Sequence, residues 1–101
     1  MRPVIWSDGA QQDYFDILRF LAADNPASAY RVVDVIEATG ERLGQFATGR
    51  AGRVSGTYEK PVPRLPYVIV YSLVLDQGQE TVFVLRVIHA ARDWPPESGP
   101  E

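Results

Sequence analysis

Two stretches in the last third of the chain constrain the fold more than anything else in it. Residues 67–75 read YVIVYSLVL and residues 81–89 read TVFVLRVIH. In both, apolar and aromatic side chains fill odd and even positions alike. A strand with one wet face would alternate, so these two predict central strands covered on both faces. The turn-forming Asp76-Gln77-Gly78-Gln79 joins one to the other, which predicts a hairpin. With 101 residues the chain can build one core around that hairpin, and two independent cores are implausible.

The first half is helical in its spacing. Residues 3–6 read as a short first strand, halted by a helix start signal at Ser7, whose hydroxyl can accept from the free N–H groups of the next turn. Over residues 8–23 the stripe Tyr14, Ile17, Leu18, Leu21 follows the i, i+3, i+4, i+7 pattern, with Ala10 extending it backward. Phe15 and Phe20 fall off the centre of this stripe, as flank packing or as a surface for a partner. Asn25-Pro26 stops and restarts the chain: Asn25 can cap, and Pro26 suits the first helical position. Ala29, Val32, Val33, Ile36, Gly40 and Leu43 then share one face of a second helix. Gly40 costs about 1 kcal/mol against Ala in mid-helix, a cost that close approach of the first helix would explain. So short a connection predicts an antiparallel helical hairpin.

Residues 46–56, with Gly49, Gly52 and Gly56 among Arg50 and Arg53, read as a loop back to the sheet. Residues 58–62 read as an edge strand, because Pro61 and Pro63 lack donors. The order β-α-α-β-β-β predicts an α+β domain in two layers, a helical hairpin on one face of a mostly antiparallel, twisted sheet. The expected domain spans residues 1–96, and residues 97–101 are expected to be a disordered tail. One hairpin covers one sheet face only, so the apolar residues of the other face call for a further cover, such as another protein.

Composition removes several function classes. There is no Cys and one His, so a disulfide framework, a Cys nucleophile and a thiolate metal site are out, and a protein-only zinc site is disfavoured. No metal and no cofactor is expected. The longest apolar run is far short of the roughly 20 residues that span a bilayer, and no charged n-region precedes an apolar h-region. A cytoplasmic protein without membrane contact is the expectation. Net charge is −3, but it is unevenly spread. Residues 1–45 hold four arginines against seven carboxylates, while residues 49–92 hold six basic groups against three acidic ones. The basic half could face a polyanion or an acidic protein, or could be ordinary surface charge.

No strong catalytic motif is present. Residues 49–53, GRAGR, lack the Gly-Lys-Ser/Thr ending of a phosphate loop, and no Gly-x-Ser-x-Gly elbow occurs. His89 is the single most suggestive residue. Beside Arg86 and Arg92 it could act as a general acid or base in metal-free RNA cleavage. Strand alternation places Arg86 and His89 on opposite faces, and the competing reading is a structural strand-end histidine. Tyr58, Tyr67 and Tyr71 could stack on bases or pack in the core. Trp94 reads as edge packing or as a contact anchor.

Taken together, the opening VIWSDGAQQDYFDILRFLAADNPASAYRVVDVIEATGERLGQF, the segment GRAGRVSGTYEKPVPRLPYVIVYSL, the ending VFVLRVIHAARDWP, the element order and the length carry a likeness. Over about residues 4–95 the chain resembles the RelE/ParE superfamily of bacterial type II toxins, and is most similar to the ParE-like branch. The resemblance implies a toxin neutralised by a protein antitoxin in a hetero-oligomer, the antitoxin rather than this chain reading DNA sequence. It implies one of two activities: inhibition of DNA gyrase without a catalytic centre, as in ParE-like members, or ribosome-dependent mRNA cleavage, as in RelE-like ones. The acidic pI, the single Lys60 and the lack of an aromatic residue after Trp94 depart from the ribonuclease pattern. Gyrase inhibition is therefore the leading expectation, with Arg50, Arg53, Arg64, Arg86, Arg92 and Trp94 as target contacts. The antitoxin is expected to occupy Phe15 and Phe20, or the uncovered sheet face. In the ribonuclease alternative the working groups would be His89, Arg86, Arg53 and Arg64, with Glu59.

Overall fold

The computed structural model describes residues 1–91. Two helices and five strands follow in the order β1 (Val4–Trp6), α1 (Asp8–Ala22), α2 (Pro26–Arg42), β2 (Arg50–Ala51), β3 (Tyr58–Pro61), β4 (Tyr67–Asp76) and β5 (Gln79–His89). The strands form one sheet in the order β1-β5-β4-β3-β2. β1 runs parallel to β5, and the other pairs are antiparallel. The helical hairpin packs on one face, giving the two-layer α+β arrangement that the sequence predicts.

Local chemistry starts and stops the helices as expected. The Ser7 hydroxyl accepts from the Ala10 N–H at 3.0 Å, and the Asn25 side chain accepts from the Ser28 N–H at 3.1 Å with Pro26 following. The α2 stripe is deeply buried: Ala29, Val33, Ile36 and Leu43 are 0–1% exposed. Each such large side chain contributes about 1.5–3 kcal/mol through its burial. The α1 stripe is shallower. Ala10 is fully buried, whereas Tyr14, Ile17, Leu18 and Leu21 are half-buried. Ala10, Ile36 and Leu43 meet Ile69, Tyr71, Val82, Val84 and Val87 in the main core.

The β4–β5 hairpin turns on Gln77 and Gly78, both left-handed at φ 54° and 79°. That pair of values defines the primed turn whose twist matches the flanking strands, and Gly meets it without steric cost. The two strands are the centre of the sheet, and all five residues from Tyr67 to Tyr71 are buried. The face turned from the helices is not left bare: Val68, Val70 and Ile88 form a second buried cluster there.

Two features depart from expectation. Residues 46–56 are not loop throughout, because Arg50 and Ala51 pair with Glu59 and Tyr58. A two-residue strand is too short to show any periodicity. It also shields β3 from the edge over Tyr58 and Glu59. The second departure is Gly40. A Cβ there would lie 2.6 Å from Trp6 Cη2 and closer still to Cζ2. Its partner is therefore the Trp6 ring of β1, not helix α1.

β5 carries a bulge. Val70 pairs with Arg86 but Tyr71 pairs with Val84, leaving Leu85 as the extra residue. β1 ends its pairing at Val84, and among the described residues no strand neighbours the remainder of β5 on that side. Helix α1 closes this edge instead. The Ser7 hydroxyl donates to the Leu85 carbonyl at 2.9 Å, and Asp13 Oδ2 accepts from the Val87 N–H at 2.8 Å. Open sheet edges attract other strands, and these two side chains satisfy this one from within the chain.

Candidate functional site

The basic half is organised around one buried carboxylate. Glu59, on β3, is 2% exposed. Its Oε1 accepts from the Arg50 guanidinium at 3.1 Å, and its Oε2 from the Arg53 backbone N–H at 2.8 Å. Both oxygens thus hold the β2–β3 connection, in which the Gly52 N–H donates to the Thr57 carbonyl at 2.8 Å. A buried carboxylate needs such partners, and the glycine-rich segment supplies them.

The other sequence-named groups are spread out. Arg86 lies flat against α1, its Nε and a terminal nitrogen donating to the two oxygens of Asp13 at 2.7 and 3.0 Å. His89 pairs across the sheet with Tyr67, and the two rings meet edge to face with centroids 5.5 Å apart. The Ala91 N–H donates to His89 Nδ1 at 3.2 Å. His89 shares the helix-facing side of the sheet with Val87 and Tyr67. Arg50 and Glu59 lie in register with Val70 on the other side. Arg64 sits at φ 64° in the turn joining β3 and β4 and is exposed. Arg92 and Trp94 lie outside the described residues. General acid–base cleavage needs a base and cationic groups around one phosphate-sized point. Arg86 is committed to Asp13, and Arg50 and Glu59 project to the face opposite His89, so these four do not converge.

The structure also gathers residues that the sequence did not single out. Arg42, Lys60, Phe46, Thr39 and Thr48 line a cavity of about 360 Å³ between α2 and β3. Lys60 Nζ donates to Thr48 Oγ1 at 2.9 Å, and the Tyr71 hydroxyl donates to the Thr48 carbonyl at 2.6 Å. Burial pushes the Tyr71 phenol up, and Tyr58, whose ring stacks on it, pushes the same way. Phe46 is 66% exposed at the rim. Nothing in its local sequence marks it, because a helix-following aromatic looks like core until the packing is known.

On the helical half Phe15 is 51% and Phe20 is 64% exposed, so each keeps a large accessible face. They line different hollows. Phe15 borders a groove of about 260 Å³ with Trp6, Tyr14, Glu37 and Glu41. Phe20 borders one of about 510 Å³ at the α1–α2 turn, with Leu21, Asn25, Ser28 and Val32. Among the described residues no group of His and carboxylates is placed to hold a metal ion, and no helix is long and apolar enough to cross a membrane.

The arrangement of two helices on one face of this mixed sheet defines the class. A chain of the solved chromosomal ParDE TA system from P. aeruginosa has the same fold, with a TM-score of 0.77 over 88% of this chain and 96% of that one, at 22% identity. The sequence carries the assignment from fold to family. The family model for the ParE toxin of type II toxin–antitoxin systems, parDE, matches residues 4–94, and the chain belongs to this family. Y4kP of Sinorhizobium fredii (strain NBRC 101917 / NGR234), a toxin by name, is 33% identical over 91 residues, covering 89% of this chain and 90% of that protein. The protein is thus the toxin component of a type II system, and its family implies a cognate antitoxin as partner.

Proposed function

We propose that this toxin acts in the cytoplasm by binding and inhibiting DNA gyrase, and that an antitoxin neutralises it by folding along the helical hairpin. The observation that carries the non-catalytic reading is the divergence of the candidate acid–base groups. Arg86 is held by Asp13 and Glu59 by the β2–β3 connection, while His89 faces the helices. An inhibitor that works by contact needs no such convergence. It needs an accessible surface, and the exposed arginines of the basic half, Arg50, Arg53 and Arg64, provide one opposite in charge to the helical hairpin. The exposed Phe15 and Phe20 support the hairpin as the antitoxin's seat, because large exposed aromatics next to hollows are what partner helices cover.

Two parallel reactions with purified, antitoxin-free toxin test the reading. Gyrase supercoiling is expected to stop while mRNA in a coupled translation stays intact. Cleaved mRNA with normal supercoiling would replace it with the ribonuclease alternative, and His89→Ala would then abolish the effect. Under the gyrase reading His89→Ala leaves inhibition close to wild type.

A further inference from the structure

The groove beside Phe15 has an unusual wall and floor. Trp6, Tyr14 and Phe15 give it three aromatic rings, and Glu37 and Glu41 give it two carboxylates. Its shape is built in rather than incidental. Gly40 lacks the Cβ that would displace the Trp6 ring, so the indole lies directly against α2. The Trp6 Nε1–H donates to Glu41 Oε2 at 2.7 Å, and the Gln11 side-chain amide donates to the Trp6 carbonyl at 2.9 Å. Tyr14 and Phe15 hold each other edge to face, with centroids 5.4 Å apart.

Among the described residues no cation lies within ion-pair distance of Glu37 or Glu41, whereas Asp13, Asp16 and Glu80 each have an arginine. The negative field is felt locally: burial first, and then Glu37 and Asp34, raise the Tyr14 phenol above its ordinary value. Aromatic faces attract cations, and carboxylates at their margin add to that attraction. The hollow, about 260 Å³, is several times the roughly 30 Å³ of one water, room enough for a guanidinium or ammonium head with part of its stem.

We propose that this groove is a receptor for a single arginine or lysine side chain, presented by a basic stretch of the antitoxin segment that covers the hairpin. The aromatic walls take the stem and the face of the cation, Glu37 supplies the charge, and Glu41 orients Trp6 while sharing that charge. The inference rests on the reading that an antitoxin segment folds along the helical hairpin, and it adds the chemistry by which that segment is recognised. The acidic character of residues 1–45 favours a basic occupant over an acidic or purely apolar one.

The test has two arms, which separate the groove from the antitoxin reading. In the first, the isolated toxin is titrated with N-acetyl-arginine methylamide while the Trp6 indole N–H resonance is followed by NMR, assigned with Trp6→Phe. A saturable shift is expected. The neutral citrulline analogue should bind about tenfold more weakly, and Glu37→Gln should weaken arginine binding by a similar factor. The position of the Trp6 indole resonance in ligand-free Glu37→Gln, unmoved from wild type, checks that the groove itself survives the substitution. No saturable shift, or equal binding of arginine and citrulline, would overturn the proposal. In the second arm the antitoxin encoded beside the toxin is co-purified with wild-type toxin and with Glu37→Lys. A complex that loses at least about tenfold in affinity on charge reversal supports the groove as an antitoxin contact. An unchanged complex overturns that role and leaves the antitoxin reading standing. If wild-type toxin forms no complex, the antitoxin reading fails, the proposed occupant fails with it, and the first arm alone decides whether the groove binds cations.

Discussion

At the scale of single residues, the informative positions are those where two requirements meet in one atom. Gly40 is one. Helix propensity favours Ala there by about 1 kcal/mol, but the new Cβ would press into the Trp6 ring. Overpacking costs about 1–3 kcal/mol, so Gly40→Ala is expected to destabilise slightly and to shift the Trp6 fluorescence and indole resonance. An unchanged indole with a gain in stability would show that the ring has room to move. Tyr71 is another. Its hydroxyl satisfies the Thr48 carbonyl from a side chain that is 1% exposed. Tyr71→Phe leaves that carbonyl without its donor and should cost about 1 kcal/mol in urea denaturation at neutral pH. The phenol is raised above 10.0 in the folded state. A raised folded-state value means its contribution is complete below 10.0 and is lost as pH rises through the folded-state value. Wild type should therefore lose stability above about pH 10, and Tyr71→Phe should flatten part of that loss.

At the scale of elements, the link between α1 and the outer edge of β5 beyond its bulge matters most. Asp13 serves the Val87 N–H and two of the Arg86 guanidinium nitrogens at once. Asp13→Ala strands a backbone donor and also removes the carboxylate from the Arg86 guanidinium. The expected loss is about 2–3 kcal/mol, with faster hydrogen exchange at the Val87 amide and little change at Ile69 in β4. Uniform acceleration across the sheet would mean that Asp13 acts on global stability and not on this edge. Packing also ranks the helices. Ile36 is 0% exposed, so Ile36→Ala should cost about 2–5 kcal/mol. Leu18 is only half-buried and lies outside both core clusters, so Leu18→Ala should cost clearly less in the same assay.

At the scale of the whole molecule, charge is divided between two surfaces. The acidic helical hairpin and the basic β2–β3 end give the toxin two faces that opposite partners can use. Arg64 is exposed and makes no ion pair among the described residues. Arg64→Glu is accordingly expected to weaken inhibition of the target several-fold while antitoxin capture on the hairpin is unchanged. Equal losses of both would place the two partners on one surface.

The sequence alone determined the two helices, the central hairpin and the family, while the two-residue strand β2 stayed hidden in it. Dense apolar runs require a central hairpin, helical periodicity and the Ser7 and Asn25 caps set the two helices, and Gln77-Gly78 sets the turn. These are local preferences, written within a few residues of where they act. The tertiary structure alone decided which charges are available. Asp13 and Arg86 stand 73 positions apart, and nothing in their neighbourhoods marks them as a pair. Glu59 is only one carboxylate among many in the sequence, and it is the fold that wraps the glycine-rich segment around it. Gly40 was visibly odd in the sequence, yet its reason, the Trp6 ring arriving from β1, depends on a strand 34 residues earlier lying against α2. A side chain's chemistry is legible from its type. Whether that chemistry is spent inside the molecule or offered to a partner depends on neighbours that only the folded chain brings together.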